Sequence, residues 1–147
     1  MIVAIRAVEP SDLEFFYQLQ ADPQQVAGTG VPARARPEFD SHWERITEDP
    51  HVTLRAITLD GALVGNILCF QMEGDPEVGY RVANSHWGRG VASAALGLFL
   101  EILQRPLTAV VLGTNAASQR VLSKHGFEVV QRRIGTDGLE ELHYLLS

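Results

Sequence analysis

Residues 85–103 of the chain read SHWGRGVASAALGLFLEIL. Trp87 is followed at once by Gly88 and Gly90, and from Val91 the run is almost continuously apolar. Glycines set directly before a helix let the backbone come close to a ligand or to another segment. A helix N-terminus exposes N–H groups without intrahelical partners, together with the positive end of the helix dipole. An anion, phosphate above all, is the natural occupant of such a turn. A tight strand-to-helix connection with no ligand uses the same residues, so the loop by itself carries both readings. Two other phosphate-binding patterns fail on spacing. A Walker loop needs Gly-Lys, and no such pair occurs. A dinucleotide fingerprint needs a third glycine where Ser93 stands, and an acidic residue closing a second strand about 20 residues on. Glu101 lies inside the helix instead.

Working outward, PEVGYRV (76–82) reads as the strand entering the glycine turn. Before it, VTLRAITL (52–59) and LVGNILCFQM (63–72) flank Asp60-Gly61, a strong hairpin signal. The chain opens with a strand, IVAIRAV (2–8). Pro10 ends it, and Ser11 with Glu14 has capping-box spacing for a helix through Leu13, Phe16, Leu19 and Gln20. The stretch AGTGVPARARP (27–37) has the Gly and Pro content of a loop, and a second helix follows with Phe39, Trp43 and Ile46 on one face. After the glycine turn a helix is predicted over 90–105, with only Ser93, Gly97, Glu101 and Arg105 as a thin polar stripe. LTAVVLG (107–113) reads as a strand and NAASQRVLSKHG (115–126) as a helix, Asn115 its N-cap and Gly126 its left-handed C-terminal residue. FEVVQRRI and LEELHYLL form a last hairpin around GTDG (135–138). The order β-α-α-β-β-β-α-β-α-β-β requires both parallel and antiparallel neighbours.

Composition bounds the function. The chain has 147 residues, 46% hydrophobic and 20% charged, which fits one globular domain over 1–147. Cys69 is the only cysteine and sits in an apolar strand, so neither a disulfide framework nor a paired metal-ligand spacing exists. The five histidines are scattered, and no metal is expected. The N-terminal stretch is too short and too charged for a signal peptide, and no run suits a membrane span, so a cytoplasmic protein with no membrane partner is expected. The net charge of -6 gives no basic footprint for nucleic acid. The charge is uneven: residues 1–77 hold 13 acids against 5 arginines, residues 78–147 hold 5 acids against 7 Lys and Arg. Chance and solvated helix faces account for this; so does an anion held by the second half and a cation approaching the first.

The run VGYRVANSHWGRGVASAAL resembles the cofactor motif R/Q-x-x-G-x-G/A of the GNAT acetyltransferase superfamily, and NAASQRVLSKHGFE (115–128) resembles the second signature of its ribosomal-protein N-terminal-acetylating branch. AIRAVEPSDLEFF also looks like the family's opening strand and helix, so the likeness spans nearly the whole chain. Ser85 departs from the motif, whose first position is often Gln or Arg; Arg89 supplies charge in the same loop. The resemblance implies an α/β (α+β) GNAT fold: a central mixed, mostly antiparallel seven-stranded sheet with about four helices, splayed between the fourth and fifth strands.

It also implies acetyl-CoA as cosubstrate, an amine acceptor as partner, and leaves a homodimer open. The pyrophosphate would lie on the amides of Trp87, Gly88, Arg89, Gly90, Val91 and Ala92. The pantetheine arm would run along Tyr80, Arg81 and Val82, with Asn115 bonding it or acting only as N-cap. Amide formation from a thioester needs a neutral amine, a donor for the developing oxyanion, and a proton for the departing thiolate. Glu77 matches the position of a catalytic glutamate in many members, or is a strand-edge carboxylate without a role. The Val82 N–H is the oxyanion donor by the same likeness. The usual acid, a Tyr four residues before the Gly of Gly-Phe, is replaced by Leu122. Ser118 matches a serine of the N-terminal-acetylating branch and could meet the sulfur, or it only caps the helix; Tyr80 and Tyr144 are other donors. His86 reads as loop surface and Trp43 as core. The acceptor would come from the side of Trp43 and residues 27–37, and the acidic surplus there suits a cationic amine or a peptide N-terminus. Leu122 keeps a second function open, a CoA-binding sensor or interaction module without transferase activity.

Overall fold

A computed structural model describes residues 1–71 and 73–147. Seven strands form one sheet: β1 (Val3–Arg6), β2 (Thr53–Leu59), β3 (Ala62–Phe70), β4 (Glu77–Val82), β5 (Leu107–Leu112), β6 (Glu128–Ile134) and β7 (Glu140–Leu146), in the order β1-β2-β3-β4-β5-β7-β6. Met72, the last residue of the expected third strand, lies outside the described residues. Every neighbouring pair is antiparallel except β4 and β5. That parallel pair is registered at one position alone, Glu77 with Thr108, after which the strands part. The expected splay between the fourth and fifth strands is therefore present.

Among the described residues five α-helices cover the sheet: α1 (Leu13–Ala21), α2 (Pro23–Thr29), α3 (Arg36–Glu48), α4 (Val91–Leu100) and α5 (Ala116–Lys124). Helices and sheet enclose two cores. Val91, Ala95, Leu96 and Phe99 of α4 and Leu122 of α5 pack with Ile57, Val78, Val82, Leu107 and Leu142. Phe16 of α1 and Phe39 and Trp43 of α3 pack with Ala56. Ala56 and Ile57 are consecutive in β2 and point to opposite sheet faces, so the cores lie on opposite faces. The Trp43 ring stacks on Phe16 with centroids 5.1 Å apart, which makes it a core residue, as expected.

Four expectations are corrected. A fifth helix, α2, takes the first residues of the expected 27–37 loop, and α3 takes the last. Asp22 caps α2 by accepting from the Gln24 N–H, Pro23 takes the first helical position, and Gly30 ends the helix at φ 72°. At the first helix, Glu9 and Asp12 form the capping box around a short 3-10 turn, in place of Ser11 and Glu14. Asp12 is drawn there because Arg6 forks onto both its carboxylate oxygens, at 2.8 and 2.9 Å. The predicted helix 90–105 stops at Leu100, because the last N–H groups tighten onto carbonyls three residues back and Pro106 disfavours a helical Arg105. At 13 residues α3, not α4, is the longest helix.

Gly65 of β3 has a packing reason that sequence reading passed over. A Cβ there would fall on the backbone carbonyl of Arg81 across the ladder, with no flexible group to yield. Gly65→Ala should lower stability by about 2 kcal/mol or more, read as a shift in denaturant midpoint; an unchanged midpoint would show that β3 and β4 pack less closely than described.

Candidate active site

The site is built by β4, and the ladder decides which of its backbone groups are free. The Ala83 N–H donates to the Val64 carbonyl, so Ala83 belongs to a hydrogen-bonded pair with β3. Antiparallel pairing alternates, so Arg81, Gly79 and Glu77 also turn their polar groups to β3. Val78, Tyr80 and Val82 turn theirs towards β5. With β5 departing after Thr108, the groups of Tyr80 and Val82 face a widening gap. The Val82 carbonyl accepts from Gln25 Nε2 at 2.7 Å and from the Trp87 indole at 2.8 Å. Of the three strand residues expected along the pantetheine arm, Tyr80 and Val82 thus present backbone to the gap. The Arg81 backbone is directed to β3.

At the wide end of the gap stands the glycine turn. Gly88 and Gly90 have φ of 74° and 78°, a left-handed conformation that side chains strain. A Cβ on either would meet nothing within 4 Å, so open space lies over both. Gly90 is the N-cap of α4 and no side chain caps the helix. The first intrahelical bond runs from the Ala94 N–H to the Gly90 carbonyl, which leaves the N–H groups of Val91, Ala92 and Ser93 without intrahelical partners. Trp87 is about half exposed, Arg89 is exposed, and an Arg89 Nη lies 3.2 Å from His86 Nδ1. Beyond the turn a groove of 390 Å³ runs between α4 and α5, with Lys124 and His125 on its wall.

Side chains on β4 divide by face. Tyr80 points with Val78 and Val82 to the α4–α5 side, where its hydroxyl lies 2.6 Å from Ser118 Oγ. Burial raises the Tyr80 pKa, and the Ser118 bond pulls it the other way. Ser118 also keeps a helix role: its N–H donates to Asn115 Oδ1, while Asn115 Nδ2 donates to the Gly28 carbonyl of α2. Leu122 is fully buried beneath them, and Tyr144 is core.

Glu77 points to the other face, into a cavity of 280 Å³ lined also by Thr108, Arg133, His143 and Tyr144. Burial raises its pKa, and the charge of Glu141 raises it further. Glu77 and the Tyr80–Ser118 pair are therefore on opposite sides of the strand that borders the gap. His86 is at the surface loop, apart from both. Among the described residues no group of His, Cys, Asp and Glu is arranged to hold a metal ion, and no helix is long and apolar enough to cross a membrane.

Sequence reading missed α2 as a part of the site. Gln25, buried, bonds the Val82 carbonyl and Asn84 Oδ1, and Asn84 Nδ2 donates to Gln24 Oε1. Together with the Asn115–Gly28 bond, these tie α2 across the open end of the gap. Asp22-Pro23 was the available signal: an N-cap residue followed by proline at the first helical position.

The architecture recurs in solved structures. A spermidine N-acetyltransferase from Vibrio cholerae, in complex with CoA and spermine, superposes with a TM-score of 0.85 at 16% identity, over 98% of this chain and 94% of that one. The ribosomal-protein alpha-N-acetyltransferase RimL in complex with coenzyme A gives 0.82 at 16% identity, over 98% and 93%. An aminoglycoside acetyltransferase in complex with coenzyme A gives 0.82 at 16%, over 99% and 95%. These likenesses concern the fold. A search of curated proteins finds no significant match. The sequence itself matches the family model "Acetyltransferase (GNAT) domain" over residues 3–128, a span that holds the parting strands, the glycine turn and the helices on either side, and the chain belongs to that acetyltransferase family.

Proposed function

We propose that the protein moves an acetyl group from acetyl-CoA to a primary amine by direct attack, the acceptor being a peptide or protein N-terminus or a small amine. One observation carries this reading: a strand edge with unpaired amides opens directly onto an uncapped helix N-terminus. The residues fit the cosubstrate. Gly88 and Gly90 leave the space a diphosphate needs, and the α4 N–H groups and dipole suit its charge. An amide-bearing arm can pair with the Tyr80 backbone as an added strand would, while Val82, its carbonyl taken by Gln25 and Trp87, offers the gap its N–H. The groove between α4 and α5 has room for the nucleotide end, with Lys124 as a cation at its wall.

CoA contributes the activated acyl thioester; the chain's residues handle protons and position. A free amine is mostly protonated near neutral pH. Glu77, its carboxyl shifted upward towards the working range, accepts that proton directly or through water. The Val82 N–H, facing the gap, is the donor for the acyl oxygen. The Tyr80 hydroxyl keeps its proton because burial opposes ionisation, and it supplies a proton to the departing sulfur in company with Ser118. This hydroxyl pair takes the place that Leu122 leaves unfilled, which favours the enzyme over a silent CoA-binding module.

Gly90→Val and Gly90→Glu should weaken CoA binding by at least about tenfold, measured by calorimetry, with the fold retained. Unchanged affinity in both variants would move the diphosphate elsewhere. Glu77→Gln should lower kcat by roughly 100-fold and leave CoA affinity intact. In the native enzyme the rate should rise with pH through the elevated Glu77 pKa, and that limb should vanish in Glu77→Gln; an identical profile would remove Glu77 as base. The stability sign is opposite to that of a salt-bridged carboxylate. A raised folded pKa stabilises below the unfolded value near 4.5, and this is lost as pH rises through the folded one, so Glu77→Gln should be no less stable at neutral pH. Tyr80→Phe should reduce kcat with little change in KM for the amine, whereas a purely structural hydroxyl would leave kcat unaltered.

A further inference from the structure

The cleft face opposite the Tyr80 hydroxyl carries charges that the proposed chemistry does not use. Glu77, Gly79 and Arg81 alternate with Val78, Tyr80 and Val82 and so share the sheet face on which α1 and α3 pack. Arg81 Nη1 is buried and has no hydrogen-bond partner. Among the described residues no carboxylate lies within ion-pair distance of Arg81 or Arg34. Arg34 is near enough that its charge adds to burial in lowering the Arg81 pKa. Its loop is held in place: Gln20 Oε1 accepts from the Arg34 N–H at 2.7 Å, and Gln20 Nε2 donates to the Arg34 carbonyl at 3.1 Å. Asn66, 5% exposed, sits directly across from Arg81 on β3. His42, whose pKa burial and then Arg34 and Arg45 depress, brings no negative charge to the cluster.

A half-buried guanidinium within electrostatic reach of a second one, with no carboxylate paired to it, is costly as a purely structural arrangement. Leaving it unpaired is economical if a ligand supplies the anion. Between Arg81 and Glu77 the strand carries Gly79, where an added Cβ would meet nothing within 4 Å. This face of the strand therefore carries Glu77 at one end and Arg81 at the other, with Gly79 open between them. Glu77 and Arg81 stand four residues, about 13 Å, apart along the strand.

Resting on the transferase reading above, we infer that the acceptor is a zwitterion: its amine lies at Glu77 and an oxyanion, carboxylate or phosphoryl, several bonds away is held by Arg81 and Arg34. This narrows the acceptor beyond the cationic amine suggested by the acidic first half. Arg81 and Arg34 act as specificity residues; they touch the acceptor and not the reacting atoms.

The test compares acceptors of one chain length: 5-aminovalerate, pentylamine and cadaverine, which end in carboxylate, methyl and ammonium, with 4-aminobutylphosphonate as the phosphoryl arm. With acetyl-CoA saturating, kcat/KM should favour an oxyanion-bearing acceptor over both others by at least about tenfold; the better of the two arms identifies the oxyanion. Arg81→Gln should erase that preference through KM for the oxyanion-bearing acceptors, and Arg34→Gln should reduce it. Equal rates for all four, or cadaverine as the best acceptor, would overturn the inference. A second measurement needs no chemistry: glutarate titrated by calorimetry into the CoA-saturated protein should bind, and Arg81→Gln should abolish the binding. Should glutarate bind through Arg81 while no amine is acetylated, the transferase reading falls and the anion site stands. Should amines be acetylated with no glutarate binding and no preference, the reverse holds.

Discussion

The parting of β4 and β5 after a single registered pair is the constraint on which the rest depends. A sheet interior satisfies its amides by pairing, and here the pairing is withheld at the centre of a seven-stranded sheet. The chain compensates only partly. Gln25 and the Trp87 indole both donate to the Val82 carbonyl, and the gap keeps the remaining groups of Tyr80 and Val82 on offer. The same divergence delivers the chain from Val82 through a 3-10 turn to Gly88 and Gly90, so that the strand edge and the start of α4 share one opening. An extended ligand with an anionic part is the complement of that combination.

Strand β4 then acts as a partition. Its pleat sends Tyr80 to the α5 side, where Ser118 and Asn115 wait, and Glu77 and Arg81 to the α1–α3 side. The proposed proton donor and proton acceptor are thus on opposite faces of one strand. Both have pKa values raised by burial, which keeps the phenol protonated and brings the carboxyl towards the pH of the amine it would serve.

Net charge alone does not describe the face beside the gap. Three of the thirteen acids in the first half stand in ion pairs: Arg6 holds Asp12, and Arg36 reaches both Glu14 and Asp40 while lying over the Tyr17 ring. The face next to the gap is instead mixed, with Arg81 and Arg34 left without carboxylates among the described residues. A sum over residues counts paired and unpaired charges alike, and only the unpaired ones reach a ligand.

Much of this was legible in the chain alone. Two glycines ahead of an apolar run announced the uncapped helix, alternating strands and the Asp60-Gly61 turn set the meander, and the two motifs carried the family. These are local features, governed by φ, turn chemistry and periodicity over a few residues, and a sequence displays them directly. Other features were settled by partners distant in sequence. Asp12 became a cap because Arg6 reaches it from β1, α2 became a strap because Gln25 meets Val82 and Asn84, and Tyr80 became a candidate donor because Ser118 lies beside it. Arg81 reads in sequence as one more strand residue. Only the tertiary structure, which turns its backbone to β3 and leaves its Nη1 buried without a partner, singles it out.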